Sequence, residues 1–241
     1  MDVPSPPLSP RLDALAEAIA PGSRVADVGS DHGLLPLWLA ASGRASYCVA
    51  TEKTDALLAR IARPPEGCPW AGRLIYRAGD GLGALRPADR IDTVVLAGLG
   101  GRTIVRLLHT PELLSPTLVR LVLQPRSDFA LVRLGLSERG FAPVAERLTW
   151  DRERFHLTIA AERGDDGKLY DEPPLSREDL LAAGPLLVRS GRPEHALYWR
   201  RERNRLAVIV ARKGSGPAFA RAVFGLARAE RILAATSKPG G

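Results

Sequence analysis

Apolar and polar positions alternate in short blocks along most of the chain, and the blocks change period in a regular order. Residues 8–20 (LSPRLDALAEAIA) space apolar side chains at helical intervals, with Ser9 at the cap and Pro10 at the first helical position. Pro21-Gly22 ends that helix, and SRVADVG follows as a short apolar strand closing on glycine. Residues 33–42 predict a helix that tolerates Pro36 in its first turn. The same reading gives a strand over 46–52, a helix over 54–62, a strand within RLIYRAGDG and another in IDTVVLAGLGG (91–101). A helix from about Arg102 to Leu108, a strand in LVRLVLQP (118–125) and a helix in SDFALVRLGLSERG, stopped at Gly140, complete the alternation.

Then the order changes. FAPVAERLTW and RFHLTIAAE are two strands in succession, joined by a turn at Asp151–Glu153 with no helix between them. Alternating strands and helices imply a parallel, doubly wound sheet, and a terminal hairpin adds antiparallel pairing at its far edge. Dinucleotide dehydrogenases do not usually finish this way, whereas class I methyltransferases do. The predicted fold is therefore α/β, a Rossmann-like class I methyltransferase sheet with a helical C-terminal extension. The polar segment 164–174 reads as a linker, dividing a domain over 1–164 from a helical domain over 165–241. In the latter, SREDLLAAGPLLV and PEHALYWRRERNRLAVIVARK are helical, Ser176 to Asp179 match a capping box, and GSGP (214–217) interrupts the chain before a last helix.

Charge sharpens this division. The net charge is +7, yet residues 189–231 carry ten Arg and one Lys against Glu194, Glu202 and Glu230. A near-neutral body with a basic tail suits a polyanionic partner, although a solvated helix rich in Arg would look the same. No run approaches the roughly 20 apolar residues that span a bilayer. Two cysteines, Cys48 and Cys68, and four scattered histidines offer neither a disulfide framework nor a metal cage. The expectation is a reduced, cytoplasmic protein, monomeric and without metal.

Chemistry concentrates where the predicted strands end. The first runs into ADVGSDHG, a glycine turn opening a helix, where backbone N–H groups can approach a ligand. The dinucleotide fingerprint G-x-G-x-x-G is not met, and Asp31 would repel a pyrophosphate. An acid there suits a ligand with cationic groups, such as the sulfonium and ammonium of S-adenosylmethionine. Glu52 ends the second strand, where a carboxylate can accept from both ribose hydroxyls. Asp80 follows the third, where it or its neighbour's backbone can meet an adenine amine. Singly, each acid reads as a helix cap or solvated surface; together they line one sheet edge. The small residues Ala97 to Gly101 leave room for a flat substrate, and His32 is a candidate base or orienting group. The amino-methyltransferase signature, Asp or Asn followed by two prolines and an aromatic, is absent.

In order and spacing, ADVGSDHGLLP, TEK, GDGL, IDTVVLAGLGG and VLQP resemble the bacterial TrmK family of tRNA (adenine-N1)-methyltransferases acting at adenine 22. The resemblance runs from Leu8 to about Gly164 and continues more weakly into the C-terminal helices. It implies cofactor contacts at Asp27, Gly29, Ser30, Asp31, Glu52, Asp80 and Gly81, with the backbone of Ala97, Gly98 and Leu99 beside them. It implies a role near the target adenine for Asp31 and His32, and substrate contacts at Gly100, Gly101, Gln124, Pro125 and Arg126. The helical domain would help hold tRNA, with Arg200 and Arg201 as candidate contacts. Departures from the pattern are Leu34 for a common Tyr, Leu99 within the glycine motif, Arg126 for Asn, and His156 where an aromatic is expected. A ribosomal RNA or small-molecule methyltransferase, or a catalytically silent RNA-binding protein of the same fold, are the rival readings.

Overall fold

The computed structural model describes residues 7–236, in two compact units, Met1–Asp165 and Asp166–Gly241. The first is built on a seven-stranded sheet of β1 (Ser23–Val28), β2 (Ala45–Glu52), β3 (Leu74–Ala78), β4 (Thr93–Ala97), β5 (Arg120–Gln124), β6 (Phe141–Asp151) and β7 (Arg154–Arg163). Their order is β3-β2-β1-β4-β5-β7-β6. The first five are parallel; β7 lies antiparallel between β5 and β6. The strand order reverses between β1 and β4, which opens a crevice at their carboxyl ends. The chain thus has the mostly parallel sheet with an antiparallel edge hairpin that its periodicity predicts.

Helices α1 (Pro10–Ala18), α2 (Leu34–Ala41), α3 (Asp55–Leu58), α4 (Gly101–Leu108) and α5 (Phe129–Glu138) surround this sheet. Leu15 and Ile19 beside α1 share one apolar core with Leu35 and Leu39 of α2 and with Val25 and Val95 of the sheet. A buried ion pair, Arg133 Nε to Glu146 Oε1 at 2.6 Å, ties α5 to β6. One predicted helix is much shorter than its sequence pattern. The helix expected over 54–62 is the single turn α3, capped by the Thr54 hydroxyl, which accepts from Leu57 N. Beyond Leu58 the chain turns back: Ala62 N donates to His32 O at 3.0 Å, and the Ile61 side chain fills the space above Gly33. Tertiary packing of Ile61 overrides local helical spacing there.

The second unit consists of α6 (Arg177–Ala183), α7 (Pro185–Ser190), α8 (Pro193–Ala211) and α9 (Pro217–Thr236). Gly184-Pro185 divides the first predicted helix of this unit into α6 and α7. Gly225 of α9 lies against Leu206 of α8, while Ile232 and Leu233, further along α9, share a core with Trp199. No helix among the described residues is long and apolar enough to cross a membrane.

Candidate active site

At the switch point between β1 and β4 lies a cleft of about 260 Å³. The end of β1 and the turn after it supply Asp27, Gly29, Ser30, Asp31 and His32; the end of β4 and its turn supply Ala97, Gly98 and Leu99. Two stretches nearly seventy residues apart in sequence therefore meet in one cavity, because their strands are neighbours in register: Asp27 pairs with Val95.

The two acids of the first turn differ sharply in setting. Asp27 is buried, and burial pushes its carboxyl up to about 6, opposed by a bond from Ser30 and reinforced by the charge of Glu52. No Lys or Arg lies within ion-pair distance of it among the described residues. Asp31 is exposed, holds a left-handed backbone (φ 54°), and its Oδ2 lies 3.8 Å from His32 Nε2. Gly33 closes the turn at φ 68°; an added Cβ would stand 2.1 Å from Ile61 Cγ2, so only glycine fits.

Glu52 and Asp80 lie along the same sheet edge but do not line the cleft. Glu52 is buried at the end of β2, and its Oε1 accepts from Asp31 N at 2.6 Å. One of its oxygens thus fixes the β1–α2 turn. Its backbone carbonyl accepts from Gly79 N at 2.8 Å, which anchors the turn carrying Asp80 and Gly81. Asp80 is exposed and faces Lys53 Nζ at 3.8 Å.

The other wall is a double turn. Gly98 N donates to Gln124 O at 3.0 Å and Arg126 N to Leu99 O at 2.8 Å. A Cβ on Gly101 would meet Ser127 O at 2.4 Å, so the two turns touch backbone to backbone. Gly100 is partly exposed beside them, Pro125 is buried and Arg126 is exposed. Gln124 is 2% exposed, its amide directed into the protein. Arg200 and Arg201 lie on exposed positions of α8, in the other unit.

The cleft also contains residues that the motifs do not point to: Arg11, Leu12 and Leu15 of α1. The one signal in the sequence is a cation, Arg11, four residues before Leu15 on the buried stripe of an amphipathic helix. Leu34 lines the cleft, as its place in the motif implies. His156 is buried on β7; burial and the charges of Arg154 and Arg11 lower its pKa, and its Nε2 accepts from Arg154 Nε at 3.2 Å. An imidazole so held is neutral.

Residues 8–159 match the family of methyltransferase domains. Over 195 residues, 81% of either chain, the sequence is 30% identical to the tRNA (adenine(22)-N(1))-methyltransferase of Bacillus subtilis (strain 168). The crystal structure of B. subtilis m1A22 tRNA methyltransferase TrmK superposes with a TM-score of 0.76 at 26% identity, covering 95% of this chain and 97% of that one. A Streptococcus pneumoniae protein, Sp1610, solved in complex with S-adenosyl-L-methionine, gives a TM-score of 0.80 at 25% identity over 94% of this chain and all of that one. With more than half of its length matching a methyltransferase domain, and both units following these relatives, the chain belongs to the TrmK family of tRNA (adenine(22)-N(1))-methyltransferases.

Proposed function

We propose that the protein methylates N1 of adenine 22 in tRNA, with S-adenosylmethionine as methyl donor. The observation that carries this reading is the buried Asp27, which faces a switch-point cleft with no Lys or Arg within ion-pair distance of it among the described residues. A desolvated carboxylate so placed suits an ammonium brought by a ligand.

The residues present fit that ligand. Asp27 and Asp31 would hold its ammonium, with Gly29 and Ser30 lending backbone at the turn. Glu52 keeps one oxygen for the ribose hydroxyls, and Asp80 with Gly81 would border the adenine of the donor. Bound there, S-adenosylmethionine supplies an electrophilic methyl group. Ala97 to Gly101 leave the crevice open for the target base, which must leave its stack to enter. The N1 lone pair of adenine is itself the nucleophile, so alignment rather than a strong base is the main demand. Such alignment lowers barriers by up to about 7–11 kcal/mol. Exposed beside Asp31, His32 would orient the base. Residues 1–164 act as the methyltransferase domain, and the basic helices of 165–241 hold tRNA through residues such as Arg200 and Arg201. A tRNA substrate supports a cytoplasmic site.

Incubation with labelled S-adenosylmethionine and unmodified tRNA transcripts, followed by nucleoside mass spectrometry, tests this. The expected product is 1-methyladenosine, lost when adenine 22 is replaced. Label in ribosomal RNA alone, or no transfer despite cofactor binding, would overturn it.

A further inference from the structure

We infer that Arg11 is a cofactor-binding residue, clamping the carboxylate of S-adenosylmethionine, and that Gln124 is the positioning residue that aims it. The inference rests on reading the cleft as the cofactor site. The methionyl end of that ligand carries its ammonium and its carboxylate on one carbon. A cleft that receives the ammonium on Asp27 and Asp31 therefore brings a third negative charge against two others. Without a cation close by, the ligand would be repelled at the same end that attracts it.

Arg11 is the one Lys or Arg among the residues lining the cleft. Its charge acts on Asp27 and is felt by Asp31, so it stands near both acids. It is half-buried, and burial lowers its pKa, while the charges around it are mixed: Asp151 and Asp31 favour its ionisation, Arg152 and Arg154 oppose it. Its side chain makes one weak bond within the protein, Nη1 to Gln124 Oε1 at 3.4 Å. A guanidinium has five N–H donors in a fork that matches a carboxylate.

Gln124 explains why that fork faces the cleft. Its Nε2 donates to Arg11 O at 2.9 Å and to Thr158 Oγ1 at 3.2 Å, while its Oε1 accepts from Arg11 itself. One amide thus holds both the backbone and the tip of Arg11, and anchors them to β7. The Gln-Pro motif that the sequence places beside the substrate acts on this helix: the side chain is buried and committed.

Calorimetry with two ligands, S-adenosylmethionine and decarboxylated S-adenosylmethionine, tests the clamp without requiring turnover. The wild-type protein should bind the intact ligand at least tenfold more tightly, since a hydrogen-bonded charge pair contributes about 10- to 150-fold. Arg11→Gln should lose that preference, binding the intact ligand at least tenfold more weakly, while the decarboxylated form, with no carboxylate to clamp, binds no more weakly than it does to the wild-type protein. Gln124→Glu should engage the guanidinium directly and narrow the preference, while thermal melting reports an intact fold. A full preference retained in Arg11→Gln would overturn the clamp. So would unchanged affinity for both ligands together with weaker tRNA binding and a shallower salt dependence, which would make Arg11 a phosphate contact. Failure of the wild-type protein to bind S-adenosylmethionine at all would instead sink the cofactor reading of the cleft, and the clamp with it.

Discussion

Two buried aspartates, one in each unit, show how burial alone does not fix what an acid is for. Asp27 at the end of β1 is 4% exposed and Asp179 in the first turn of α6 is 2% exposed. Their carboxyls shift in opposite directions. Burial dominates at Asp27 and raises it. At Asp179 burial also raises the pKa, but bonds from Arg231 and Ser176 and the charges of Arg231 and Arg228 outweigh it, and the net shift is downward. The Asp179 carboxylate accepts from Arg231 Nε and Nη2, both at 2.9 Å, and from Arg228 Nε at 3.2 Å. One acid is satisfied by its own chain and holds α6 to α9. The other has the Ser30 bond and no ion-pair partner among the described residues. The sign of the shift, rather than the depth of burial, separates an acid that is ion-paired within the chain from one that is not.

The sharpest way to break this contrast is Asp27→Asn. The variant should bind S-adenosylmethionine about 10- to 100-fold more weakly, the loss of one hydrogen bond to a charged group. Its ligand-free form should nevertheless melt higher at pH 7.5, because a desolvated charge has been removed. A lower melting temperature would mean that the Ser30 bond and the charge of Arg11 outweigh the cost of burying the carboxylate. Asp179→Asn should do the reverse, leaving cofactor affinity unchanged while weakening the α6–α9 contact. With Arg228 and Arg231 partly exposed, the expected loss is about 1–2 kcal/mol, read as faster amide hydrogen exchange in those helices. If exchange speeds up around the cleft instead, the two units are not separable in this way.

The smallest effect is the pH dependence. The folded pKa of Asp27, about 6, lies above its model-peptide value of 3.8. Its stabilising contribution is therefore full below 3.8 and is lost as pH rises through 6. Acidifying the ligand-free protein from pH 7 to 5 should add about 1 kcal/mol to the first unit, while weakening cofactor binding as Asp27 takes up a proton. Asp179, shifted downward, contributes fully above 3.8 and loses its effect only below its own lowered value. Protection factors, which remove the change in intrinsic exchange rate with pH, should thus rise in the first unit on acidification and stay level in the second.

The sheet was legible because period-2 and period-3.6 blocks alternate without ambiguity, and two adjacent strands such as Phe141–Asp151 and Arg154–Arg163 can only form a hairpin. The Asp27–Gly33 turn was legible because its residues are contiguous. What depends on distant partners was not. The shortening of α3 follows from Ile61 packing over Gly33, and nothing in TDALLARIA announces that contact. Glu52 reads as a ribose ligand by position, yet one of its oxygens holds the Asp31 amide. Arg11 belongs to no contiguous motif and shows only as a cation on the apolar stripe of a helix, and the direction of the Gln124 side chain is set by that helix, over a hundred residues earlier.

That last bond has a consequence for the order in which the molecule is made. Helix α1 is synthesised first, but the amide that fastens Arg11 comes 113 residues later. At the usual pace of translation the helix waits roughly 6–23 seconds for its anchor. Thr158, which steadies the same amide, arrives later still. A nascent chain therefore has no finished wall on that side of the cleft until β7 has slotted in beside β5.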